Sequence, residues 1–290
     1  MAFDAPPLFT PGASPLAARN AALDWAFYDV GSLSAAEAGL LAAETTLEGS
    51  ILVVHPNAER AGVALEKFEG FEGFRAAPGA LLRRFALAGV GSSDLGAAAL
   101  ARTLANHLGE PVGAIVAGYG AADLVAEALG GWFFFGGANR LLAPAEPPSK
   151  RLAAAILSSD DAASAASRRL TWDAATLLRL LREPERQVAT LLGHSKGSLT
   201  ISFALQVLAL ADAANFARLG EARVVTAGAV QPMPPGLGDV RQFLGALDWF
   251  GELNSDPTVR RTLVPHAWHH LNTQTPAHLD LAAALAGRLD

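Results

Sequence analysis

The sequence predicts an α/β protein, a mostly parallel central sheet flanked by helices. Two observations carry the prediction. Strand-like apolar runs alternate along the chain with alanine-rich helical stretches, the order expected of a parallel sheet covered on both faces. And 290 residues, 51% of them apolar, suffice to bury one substantial core, so residues 1–290 are read as a single domain.

The elements follow in order. "SILVVHPN" (50–57) reads as a buried strand ending in turn residues, and "RRFALAGVGSSDLG" (83–96) as a strand running into a glycine and serine loop. "AAALARTLANHLG" makes a helix that Gly109 stops, because glycine takes the left-handed cap without a Cβ penalty. "PVGAIVAGYG" (111–120) is the next strand and "AADLVAEALG" the next helix. "RQVATLLG" (186–193) is a strand, "LTISFALQVLALADAANFARLG" one long helix, and "ARVVTAGA" and "VRQFLGALD" are the last clear strands. "PAHLDLAAALAGRL" closes the chain as an amphipathic helix that includes His278. Between Gly130 and Arg186 lie about 55 residues, more than one crossover helix needs. This stretch holds "GGWFFFGGANRLLAPAEPPSKR" and the helix-like "TWDAATLLRLLREP", and it predicts an inserted cap at about 130–170.

Composition excludes several classes. Lys+Arg of 22 against Asp+Glu of 28 gives a net charge of −6 with no basic run, the wrong sign for a phosphate-backbone partner. There are no cysteines, hence no disulfide, thiolate zinc site or cysteine nucleophile. The first twenty residues lack a basic start followed by an apolar run, and no segment approaches the roughly 18 apolar residues of a membrane helix. The expectation is a soluble, cytoplasmic protein without a transmembrane segment.

The chemistry centres on "VATLLGHSKGSLTISFALQVLAL": apolar strand, Gly-His-Ser-Lys-Gly, then helix. A serine on so tight a strand-to-helix turn needs glycines at 193 and 197, where a Cβ would meet neighbouring backbone, and it stands its hydroxyl clear of the sheet. The helix N-terminus beneath adds positive potential where an oxyanion forms. Here the chain resembles the α/β-hydrolase family, from about residue 50 to the end. The resemblance implies an α/β-hydrolase fold with Ser195 as nucleophile, followed in chain order by an acid and a histidine, each after a later strand. Lys196 departs from the small or apolar residue usual at its position, although its backbone N–H can still donate to an oxyanion. His194 points away from the serine on such a turn and reads as a packing residue.

A second oxyanion donor is expected from the loop after an earlier strand. Gly89, Val90 and Gly91 in "LAGVGSSDLG" fit, their backbone N–H groups being little obstructed by side chains. The competing site is "VVHPN", with His55 and Asn57, and the glycine loop is preferred because it precedes the helix and strand leading toward the elbow. Asp248 ends the last clear strand, 53 residues beyond Ser195, where a carboxylate can hold an imidazole tautomer. The alternative is that it caps the helix "WFGEL". Asp239, before that strand, and Asp256, in a turn, are weaker.

The base lies among His266, His269, His270 and His278. It should precede the terminal helix, which leaves His269 first and His270 close behind. "HHLN" is similar to the His-x-Leu pattern near the end of class 3 lipases. Clustered histidines also raise zinc, but side chains at 269 and 270 diverge on extended backbone and no carboxylate sits at ligand spacing, so neither metal nor cofactor is expected.

These residues predict a serine ester hydrolase of esterase or lipase type acting on a small-molecule or lipid-like ester. Its catalytic triad would be Ser195, His269 (or His270) and Asp248, and its oxyanion hole Lys196 with the Gly89 loop. The alternative is a non-catalytic protein on the same scaffold that contacts lipid, polymer granule or a partner protein. A phosphate loop at "AGVGSSDLG" lacks the Lys-Ser/Thr ending and the full glycine spacing that such loops need.

Overall fold

The computed structural model of the chain describes residues 22–43, 48–57, 65–77, 81–89, 92–117, 150, 153–154, 156–157 and 172–287. Among these, eight strands form one sheet: β1 Ile51–Val54, β2 Leu65–Phe68, β3 Arg84–Leu87, β4 Val112–Ile115, β5 Thr190–His194, β6 Arg223–Ala227, β7 Asp239–Gly245 and β8 Thr262–Val264. Their spatial order is β2-β1-β4-β3-β5-β6-β7-β8. Strand β1 runs antiparallel to both β2 and β4, and every other pairing is parallel. The main helices are α1 Ala35–Ala43, α2 Phe71–Ala76, α3 Asp94–Leu108, α4 Trp172–Arg182, α5 Lys196–Ala211, α6 Ala213–Ala217, α7 Trp249–Leu253 and α8 Leu281–Ala286.

Both faces of the sheet are covered because successive strand residues point to opposite sides. Leu52, Ala86, Leu192 and Val225 belong to one core with α1, α3, α8 and residues 28–33. Their neighbours Ile51, Phe85, Leu191 and Val224 belong to the other, with α2, α4 and α5. The first core is rich in alanine, Ala97, Ala98, Ala101 and Ala105 on α3 facing Ala86 and Ala114, which lets α3 lie close on the sheet. Helix α3 starts where Ser93 Oγ accepts from the Leu95 N–H at 3.0 Å and stops where Gly109 takes φ 68°.

Several expectations change. The long helix after β5 breaks at Asp212 (φ −143°), whose carboxylate instead accepts from the Asn215 N–H and starts α6. The terminal helix begins only at Leu281, capped by Asp280, so His278 lies in the preceding loop. Strands β2 and β8 had no clear signal, being four and three residues long at the two edges of the sheet with partly polar or exposed side chains. Of the segment expected as a cap, Ala153, Ile156 and Leu157 pack into the core beside α4; the aromatic run at 132–135 and the helix expected at 121–130 lie outside the described residues.

Candidate active site

The turn between β5 and α5 carries Ser195 at φ 54°, ψ −120°, a positive-φ conformation that a non-glycine residue holds at a cost on the order of 1–3 kcal/mol. The surroundings enforce it. The Ser195 N–H donates to the Ala227 carbonyl at 2.8 Å, continuing the ladder to β6, and the Ser198 N–H donates back to the Ser195 carbonyl at 2.9 Å. A Cβ on Gly193 would come within 2.7 Å of the Ser198 backbone, and one on Gly197 would collide with the Leu87 carbonyl of β3. Both glycines are therefore required by backbone proximity. The result is a serine at the C-terminal edge of the central strands, on the N-terminus of a sixteen-residue helix.

His269 Nε2 lies 3.0 Å from Ser195 Oγ, and His269 Nδ1 lies 2.8 Å from Asp248 Oδ2. All three residues are buried. Asp248 serves two partners with two oxygens: Oδ1 accepts the Gly251 N–H at 2.7 Å as the cap of α7, and Oδ2 faces the imidazole. The capping and imidazole-holding readings of this residue are thus compatible. The approach depends on Gly251, whose Cβ would strike Asp248 Oδ2, and on Gly228, whose Cβ would lie 2.9 Å from His269 Cε1 and whose φ is 70°. Phe27, Phe250 and Trp268 pack around the His269 ring, the Phe250 centroid 5.0 Å away and edge-on.

The other candidates fall elsewhere. His270, held open beside His269 on sequence grounds, is turned aside: its ring packs against Trp268 at 5.6 Å, and its carbonyl accepts the Leu279 N–H. Neighbouring side chains on extended backbone diverge, so only one of the two can face the serine. His266 is exposed, and His278 Nδ1 sits 3.0 Å from the Thr275 carbonyl. Asp239 opens β7 and pairs with Arg223 and Arg241; Asp256 accepts from the Thr258 N–H. The "VVHPN" loop follows β1, which runs antiparallel to β4, and so it lies at the sheet edge opposite Ser195. Lys196 extends its ammonium to within 3.9 Å of Asp173 and 4.0 Å of Glu48, directing its charge into a carboxylate pair.

For the expected oxyanion loop the outcome divides. Gly89 does reach the site, its ideal Cβ position 3.1 Å from Ser195 Cβ, but its N–H is occupied, donating to the Tyr28 hydroxyl at 2.6 Å. Gly89 therefore shapes the site without offering its N–H to it. Val90 and Gly91 lie outside the described residues.

Sequence reasoning missed the N-terminal segment. Asp24 accepts from the Ser93 N–H at 3.0 Å and also from the Ser93 hydroxyl, beyond the glycine loop. The Phe27 carbonyl accepts the Leu271 N–H at 2.8 Å, the Trp25 carbonyl accepts from Asn272 at 2.6 Å, and the Asp29 carboxylate takes the Thr273 N–H at 3.0 Å. One short stretch thus ties the glycine loop to the histidine loop. The only hint in the sequence is acids and aromatics crowded into "DWAFYD".

Burial pushes the Asp24 carboxyl from 3.8 up to about 7, against the hydrogen bonds from Ser93 that lower it. Burial, with the His269 ring adding to it, pushes His194 from 6.5 down to about 3. Folded Asp24 keeps a proton the unfolded chain has released, so its contribution to stability is present below about pH 4 and lost as pH rises to about 7. Folded His194 refuses a proton the unfolded chain accepts, so its contribution is present above about pH 6.5 and lost on acidification. The two slopes oppose each other. Asp24→Asn removes the first, and its stability advantage over the parent should grow as pH rises from about 4 to about 7. Urea midpoints across that range check this; parallel curves for the two proteins would contradict it.

No family model matches the chain, and neither a curated protein nor a solved structure matches it. Among the described residues no group of His, Asp and Glu is placed to hold a metal ion, and no helix is long and apolar enough to cross a membrane.

Proposed function

We propose that the chain is a serine hydrolase of the α/β-hydrolase type that cleaves carboxylic esters through an acyl-enzyme on Ser195. The observation that supports it most is the hydrogen-bonded series Ser195 Oγ, His269, Asp248, at 3.0 and 2.8 Å, with the serine at positive φ between strand and helix. The chain order Ser, Asp, His agrees with that family's order.

In this reading Ser195 Oγ attacks the ester carbonyl carbon as its proton passes to His269 Nε2, while the Nδ1 proton stays hydrogen-bonded to Asp248. The carbonyl oxygen becomes an oxyanion against the Lys196 N–H at the N-terminus of α5, with a second donor from the loop that begins after Gly89. Collapse expels the alcohol, protonated by His269, and leaves Ser195 acylated. Water, deprotonated by the same nitrogen, then releases the acid and restores the serine proton. The aromatic residues Trp132, Phe133, Phe134 and Phe135 are assigned to selecting the acyl chain, from their composition and their place in the expected cap.

The test is hydrolysis of p-nitrophenyl esters of increasing acyl length by the purified chain. Saturable turnover that depends on acyl length is expected. Absence of turnover across the series would overturn the proposal.

A further inference from the structure

We propose that Tyr28 and His194 are positioning residues for this reaction, a hydrogen-bonded relay that fixes Gly89, after β3, and the backbone of His269 relative to each other. The inference rests on the hydrolase reading above. The His269 C=O lies 2.8 Å from His194 Nε2 and can only accept, so Nε2 carries the proton. A neutral His194 then has a lone pair on Nδ1 and needs a donor there. The Tyr28 hydroxyl, 2.8 Å away, supplies it. The hydroxyl's lone pairs in turn accept the Gly89 N–H at 2.6 Å, with the Ser92 side chain alongside. Every proton in the series is thereby assigned: Gly89 N–H to Tyr28 Oη, Tyr28 O–H to His194 Nδ1, His194 Nε2–H to His269 O.

Two physical features make this series specific. His194 and Tyr28 are almost fully buried, 1% and 3% exposed, so neither can exchange its partners for water. Their rings meet edge-on at 5.3 Å, and His194 lies 5.0 Å from the His269 ring, with Gly228 fitted against both imidazoles. The low proton affinity of His194 keeps it in the neutral form that the series requires. His194 is packed, as its place on the turn predicts, and both of its nitrogens are also bonded.

The consequence is mechanical. Gly89 sits against Ser195, and the His269 carbonyl belongs to the residue that takes the serine proton. Without the Tyr28 hydroxyl, the His269 carbonyl still holds the proton on His194 Nε2, but His194 Nδ1 loses its donor and the Gly89 N–H loses its acceptor, so the tie between Gly89 and the His194 ring is broken. Gly89 and the His269 backbone can then shift relative to each other, and the alignment of His269 with Ser195 is loosened. A displacement of this kind acts on kcat and leaves KM in place.

The experiment compares the parent with Tyr28→Phe, His194→Leu and the double variant on a p-nitrophenyl ester. Tyr28→Phe should lower kcat about 10- to 100-fold with KM nearly unchanged. The double variant should be no worse than His194→Leu, because residues in one series do not add. In nitrogen-15 spectra the parent His194 should carry its proton on Nε2. If Tyr28→Phe does not fold, His194→Gln takes its place: its amide can still donate to the His269 carbonyl, and it should retain more kcat than His194→Leu. An active parent whose Tyr28→Phe variant matches it in kcat, losses that multiply in the double variant, or a His194 proton on Nδ1 would each overturn the relay. A parent without turnover would instead overturn the hydrolase reading, and the relay with it.

Discussion

Ser195→Ala should lose ester turnover by about 10⁵- to 10⁶-fold, the scale on which removal of a triad nucleophile acts elsewhere. Folding should survive. The elbow is held by the approach of Gly193 to the Ser198 backbone and of Gly197 to β3, and by the Ser195 N–H on Ala227, none of which uses the hydroxyl. Alanine must also accept φ 54°, a strain the serine already bears, so stability should change little while activity is lost. Kinetics and thermal unfolding on the same preparation separate the two effects. Residual turnover above about one per cent of the parent would place the nucleophile elsewhere.

Asp248→Asn should be almost as damaging, with kcat reduced by up to about 10⁴-fold, and the reason lies in the division of labour between its oxygens. The Asn carbonyl can still accept the Gly251 N–H, so α7 keeps its cap; the amide NH₂ then faces His269 Nδ1. That arrangement forces the His269 proton onto Nε2, where it cannot take one from Ser195. Asp248→Ala would lose the cap too, costing about 1 kcal/mol of stability that Asp248→Asn retains. Equal stability of the two variants, or a fully active Asp248→Asn enzyme, would contradict this account.

What could be read from the sequence was what is local. The Gly-x-Ser-x-Gly turn announces itself because two glycines two residues from a serine answer to contacts within one strand-turn-helix unit. Asp248 could be placed because it closes a clear apolar strand. The choice between His269 and His270 could not be made, since it depends on which way an extended loop is rotated, and that rotation is set by the Trp25, Phe27 and Asp29 groups some 245 residues away in the chain. Tyr28 and Asp24 were missed for the same reason: their partners lie across the fold. The Gly89 loop was found by its composition, yet the role of its first N–H was misjudged, because nothing near residue 89 discloses a tyrosine hydroxyl waiting for it. Edge strands β2 and β8 lacked the doubly buried apolar character that made the central strands visible.

The central claim is that Ser195 is an activated nucleophile, and covalent capture tests it most directly. The purified chain is treated with a fluorophosphonate, digested, and mapped by mass spectrometry. A single adduct on the peptide containing Ser195, absent in Ser195→Ala and strongly slowed in Asp248→Asn, is the predicted result. A folded parent chain that remains unlabelled, or that labels at another serine, would contradict it.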